Sequence, residues 1–124
     1  MRSLRLVLVA LAIGLVPSLV SAQPPVTGGN TLVWDQPNTT AAAAAAMTYR
    51  YYPDGSATGI GLSGVTCAGT TTVTCQAAFP AFTPGPHSLT IAATNTAGEG
   101  PKSAAFSFSF VVLPSAPVNV RIGS

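Results

Sequence analysis

Few side chains in this sequence can move a proton, attack a substrate or hold a metal. Beyond position 22 there is one histidine, His87, and three carboxylates, Asp35, Asp54 and Glu99, which fall in three separate segments. Glycoside hydrolysis needs two carboxyl groups flanking one bond, so Asp35 and Asp54 could serve only by approaching each other across adjacent strands. Serines and threonines are plentiful, yet none stands in the Gly-x-Ser-x-Gly elbow that exposes a nucleophile. No glycine loop would cradle a phosphate, and no ligand cluster would hold a metal. Cys67, Cys75 and His87 make three ligands at best, short of the usual four for structural zinc. The inventory points to a chain without catalytic residues, metal or cofactor.

The two cysteines have a simpler use. Ala68-Gly69-Thr70-Thr71-Thr72-Val73-Thr74 separates them and has turn and strand character. A Cys67–Cys75 disulfide stapling a β-hairpin is the expectation, provided the chain matures in an oxidising compartment. The N-terminus supplies that condition. Arg2 and Arg5 precede an apolar run, Leu6 to Val16, and Val20-Ser21-Ala22 offers small residues to a peptidase, the order of a secretory signal. Gly14 and Pro17 interrupt the run, which is too short for a membrane span of about 20 apolar residues. Residues 1–22 read as a signal peptide, with Gln23 first in the exported form, which then carries no membrane span. The expected location is secreted or at the cell surface, extracellular or periplasmic.

Removing 1–22 also removes Arg2 and Arg5, the whole formal excess of +2. Arg50, Lys102 and Arg121 then balance the three carboxylates. Binding nucleic acid or acidic lipid through charge needs clustered cations that displace counterions, and three scattered ones exclude that class. Residues 23–124 suit one domain with one modest core. So little surface charge favours association.

The runs between proline, glycine and threonine alternate at the period of strands, not helices. Leu32 and Trp34 share a face of Thr31–Asp35, as do Met47, Tyr49 and Tyr51 of Met47–Tyr51. Pro53-Asp54-Gly55 is turn chemistry, and a strand from Thr58 to Cys67 should follow. Val73–Phe79 leads into the turn at Thr83-Pro84-Gly85-Pro86. Ser88–Thr94 then alternates with Leu89, Ile91 and Ala93 inward. Phe106, Phe108 and Phe110 point one way while Ser107 and Ser109 point the other. Ala41–Ala46 has the best helix propensity of all but is too short to stand alone. Asn38-Thr39-Thr40 could cap a turn there; the segment reads as a loop, and Asn38 heads a glycosylation sequon.

Residues 30–113 resemble a fibronectin type III domain or a close immunoglobulin-like relative. Leu32, Trp34 and Pro37 look like that family's second strand, and Tyr49 and Tyr51 like its third. Phe82-Thr83-Pro84-Gly85 is similar to the step before its sixth strand, and Ala93-Thr94-Asn95-Thr96-Ala97-Gly98-Glu99-Gly100 to the run that ends it. The resemblance implies an all-β, antiparallel two-sheet β-sandwich used for extracellular binding or linking. It also implies a role for His87, which falls where the family carries its tyrosine corner; with no second histidine and no carboxylate near it, His87 reads as a hydrogen-bonding residue at a β-corner. The hairpin disulfide departs from the family pattern.

Parity sets Tyr52 opposite Tyr49 and Tyr51, on the face that carries Arg50, so Tyr52 and Arg50 are the candidate contacts for an extracellular protein or carbohydrate. Residues 23–29, with two prolines and two glycines, can form only a linker or a short edge strand. Residues 114–124 are a strand-like tail in which Val118, Val120 and Ile122 alternate. That tail reads three ways: as a remnant, as an extra strand on its own sandwich, or as a strand added to a neighbouring molecule's edge by β-augmentation. The last would make Val118, Val120 and Ile122 a self-association surface.

Overall fold

A computed structural model describes residues 23–124; the signal peptide expected at 1–22 lies outside the described residues. The described chain is all-β apart from one short helix. Its elements are β1 (Pro25–Val26), β2 (Thr31–Asp35), α1 (Ala41–Ala46), β3 (Thr48–Pro53), β4 (Ile60–Leu62), β5 (Thr66–Ala68), β6 (Thr74–Ala78), β7 (Gly85–Asn95), β8 (Gly98–Glu99) and β9 (Phe106–Phe110). One sheet runs β1-β9-β7-β3-β4, with β8 beside the end of β7, and the other runs β2-β6-β5. Every pairing is antiparallel except β1 with β9, where Pro25 lies opposite Ser109 and Val26 opposite Phe110 in parallel.

Alternation decides which side chains meet between the sheets. From the smaller sheet Leu32 and Cys75 turn inward; from the larger, Tyr49, Tyr51, Leu89, Ile91, Phe108 and Phe110 do so. The phenylalanines pack edge to face: Phe108 lies 5.0 Å from Phe79 and 4.9 Å from Phe82 between ring centres. Each such pair is worth about 0.5–1.5 kcal/mol beyond the area it buries. The disulfide between Cys67 and Cys75 joins residues directly opposite each other on β5 and β6, with Cα atoms 4.0 Å apart. Gly69 makes the return possible, because its φ of 122° is open only to glycine and a Cβ there would meet the Thr72 carbonyl at 1.9 Å.

Ala41–Ala46 is a helix and not the loop that its length suggested. The Thr40 hydroxyl caps it by accepting the Ala43 N–H at 3.2 Å. Tertiary contacts supply what length does not: Ala44 is fully buried, and the Tyr49 hydroxyl donates to its carbonyl at 2.7 Å. Burial raises the pKa of that hydroxyl, which stays a donor.

The single strand expected over Thr58–Cys67 is two. Gly64, at φ 68°, turns the chain between them, so β4 pairs with β3 in the larger sheet and β5 with β6 in the smaller. β7 in turn starts earlier than Ser88, at Gly85. Pro86 fits within it because Ser109, its cross-strand neighbour, directs its own N–H away to the Pro24 carbonyl at 3.0 Å.

Candidate functional site

Tyr52 is not the exposed aromatic that its parity suggested. It is 5% exposed, because groups distant in sequence fold over it. Its hydroxyl donates to the Glu99 carboxylate, and the Lys102 ammonium sits 4.0 Å from the ring centre. Gly59 covers the edge so closely that a Cβ there would lie 2.7 Å from the ring. The Glu99 hydrogen bond, then burial, raise the Tyr52 pKa. Arg50 remains exposed on the same strand, so the two residues do not form a joint contact surface. The Tyr52 cluster instead fastens the loop after β7 to the outer face of the larger sheet.

His87 also has a partner that its sequence neighbourhood does not show. The turn after β3 brings Asp54 to it, with Oδ2 2.7 Å from Nδ1, while the Asp54 Oδ1 accepts the Ser88 N–H at 2.9 Å. The other ring nitrogen, Nε2, lies 2.7 Å from the Thr83 carbonyl and 3.1 Å from its hydroxyl. Carboxylate, imidazole and hydroxyl thus stand in the order of a nucleophilic triad. The Thr83 carbonyl changes the chemistry. An acceptor faces each nitrogen, so both are best satisfied as N–H donors, and an imidazolium has no lone pair with which to take a hydroxyl proton. The hydrogen bond that His87 donates to Asp54 raises the His87 pKa against the opposing effect of burial, with the Thr83 carbonyl adding to the rise, and the same contact lowers the pKa of Asp54. The result is a clasp that ties the turn after β3 to the start of β7.

Asp35 belongs elsewhere. It ends β2 and accepts the Thr74 hydroxyl at 3.0 Å, whereas Asp54 is engaged with His87 and Ser88. The two carboxylates are held by different partners on different sheets, not as a pair around a common substrate.

The surface best built to receive a ligand runs along β2. Pairing with β6 places Asn30 opposite Phe79 and Gln36 opposite Val73, with hydrogen bonds of 3.0 and 2.8 Å on that side. Antiparallel geometry therefore directs the N–H and C=O of Leu32 and Trp34 toward β6, and those of Thr31, Val33 and Asp35 away from it. Among the described residues no strand pairs with this second edge. Val33 is 54% exposed beside it.

Between this edge and the larger sheet lies a groove of about 560 Å3 whose apolar walls include Val26, Leu32, Phe79, Leu89, Ile91 and Phe106. Phe106 shares the inward face of β9 with two buried phenylalanines but is 41% exposed, because it borders this opening. Trp34 separates the groove from a second cavity of about 470 Å3 lined by Pro37, Gly100, Pro101 and Lys102. Its ring packs 5.1 Å from Tyr49, and its Nε1–H is buried without a hydrogen-bond partner. A buried donor left unpaired costs roughly 1–3 kcal/mol. The short β1, paired with β9 and not with β2, leaves this side open; the prolines and glycines of 23–29 are the sequence signal for it. No family model matches the chain, and neither does a curated protein or a solved structure.

Proposed function

We propose that the chain is an exported, non-catalytic β-sandwich module of fibronectin type III or immunoglobulin-like type, which binds an extracellular ligand along β2. The observation that carries the reading is the open β2 edge beside an apolar groove bordered by Trp34. Edge amides give a ligand orientation, and the groove gives it apolar contact. The strand order supports the sandwich type: β2 with β6 and β3-β7-β9 correspond to the B–E and C–F–G pairings of such folds. Export rests on the leader pattern of residues 1–22, in keeping with the disulfide. The three carboxylates and His87 are each engaged in structural hydrogen bonds, which supports a binding role over catalysis.

Trp34 is the only tryptophan, so its emission reports on the groove directly. The test is titration of the exported form with a panel of extended peptides and soluble glycans while Trp34 emission is followed. A binding module shifts that emission saturably for at least one class, and Val33→Pro abolishes the response for ligands that pair with the edge. A spacer without a ligand leaves the emission unchanged throughout the panel, and that result refutes the proposal.

A further inference from the structure

We propose that the ligand of the β2 edge is the C-terminal tail of a second copy of this chain, added as a strand through Val118–Ile122. The inference rests on the binding role assigned to β2 and names its partner. After Val111, whose N–H bonds to Val26 at 2.8 Å, residues 112–124 make no hydrogen bond to the two sheets and are exposed throughout. Val118, Val120 and Ile122 are 79%, 89% and 98% exposed. Three alternating β-branched residues left in water form the apolar face of a strand that lacks a sheet.

The edge and the tail complement each other. The five residues Val118–Ile122 match Leu32–Gln36, a stretch that stays hydrogen-bonded to the β6 side as far as Gln36. A strand laid beside β2 continues its pleat, so its alternate side chains share faces with those of β2. With Val118, Val120 and Ile122 toward the groove beside Leu32 and Trp34, Asn119 and Arg121 turn outward with Thr31, Val33 and Asp35. Arg121, whose present contact is the Asn119 carbonyl at 3.1 Å, then lies on the face that carries the exposed Asp35. Opposite charges meet there. Asn119 stands at φ 52° and must extend on docking; asparagine visits that left-handed region without being confined to it.

The donor is a second copy because the tail would have to turn back to lie along its own β2: β9 runs parallel to β1, and the chain turns at Thr27–Asn30 before entering β2. Pro114 and Pro117 hold Leu113 and Ala116 in extended conformations, and no turn occurs between Val111 and Val118. Head-to-tail donation of this kind is heterologous and produces rings or open chains.

The test uses the exported form and two full-length variants. Val33→Pro blocks the outer edge and leaves the β6 ladder intact, because the Val33 N–H faces away from β6. The triple change Val118→Lys, Val120→Lys, Ile122→Lys disables the tail, which contributes nothing to the core. In sedimentation at rising concentration, the wild-type chain should assemble, each variant alone should remain monomeric, and an equimolar mixture of the two should form a complex, since one retains the tail and the other the edge. A synthetic peptide spanning residues 114–124 should shift the Trp34 emission of the triple variant. A monomeric wild type, assembly that survives either variant, or a mixture that remains monomeric overturns the proposal. If the tail peptide leaves Trp34 unmoved while a member of the ligand panel shifts it, self-donation fails and the binding role stands; if neither does, both fail.

Discussion

Cutting the Cys67–Cys75 bond isolates one term of this fold's stability. The paired strands already hold the two residues opposite each other, so the folded state keeps its geometry when the bond is reduced. The unfolded chain instead gains the freedom that the loop denied it. With a sequence separation of 8, the chain-entropy relation gives a loss of about 2.5 kcal/mol. A domain of this size has a total stability of roughly 5–15 kcal/mol, so the loss is a substantial fraction. At 4–8 °C per kcal/mol, the melting temperature should fall by roughly 10–20 °C. Because Cys75 is fully buried, the bond is reduced in denaturant and the protein is refolded with reductant present. Calorimetry and urea titration then compare the two forms. The urea slope should rise on reduction, as a freed chain exposes more surface on unfolding. A fall of only a degree or two with an unchanged slope refutes the unfolded-state account. Loss of any cooperative transition refutes it too, because the core around Tyr49, Leu89 and Phe108 should then still fold.

Further tests address the other anchors. The raised pKa of His87 means its clasp stabilises the fold fully below the ordinary imidazole value of 6.5 and loses that contribution as pH climbs through the raised folded value. Asp54, lowered from 3.8, contributes above that value and loses it as pH falls through its folded pKa. Urea midpoints should therefore decline on the alkaline side, and His87→Gln should flatten that limb. Thr40→Ala removes the cap of α1 and should cost about 1 kcal/mol in the same titration. Gly59→Ala forces a Cβ against the Tyr52 ring and should cost roughly 1–3 kcal/mol, with increased quenching of tyrosine emission by iodide as the ring is exposed.

Strand positions were legible because a period of two survives in short segments: Leu32, Tyr49, Tyr51, Leu89, Ile91 and Phe108 all turn inward as their spacing requires. Parity gives the face of a residue but not what covers that face. Tyr52 does lie opposite Tyr49 and Tyr51, yet Gly59, Glu99 and Lys102 close over it from other parts of the chain. The Asp54–His87 pair escaped for a similar reason, since 33 positions separate its members and only the β3–β7 register brings them together. Helix propensity in Ala41–Ala46 was visible. The Tyr49 hydroxyl that secures it was not, because no local pattern encodes a contact between a helix and the strand that follows it. The open β2 edge left a trace, the proline- and glycine-rich residues 23–29, whereas the groove beside it depends on where β9 begins.

The alanine tract of α1 carries information in its length. All six side chains are identical, so an inserted or deleted alanine leaves the Thr40 cap and the buried fourth position intact and passes the whole change to Met47. Each residue of a helix advances 1.5 Å and turns about 100°. One extra alanine would therefore swing half-buried Met47 to another side of the helix and shift the entry of β3, moving the Tyr49 hydroxyl relative to its Ala44 acceptor. A segment that looks like sequence noise thus serves as a ruler between β2 and β3, indifferent to where in the tract a change occurs but sensitive to its count.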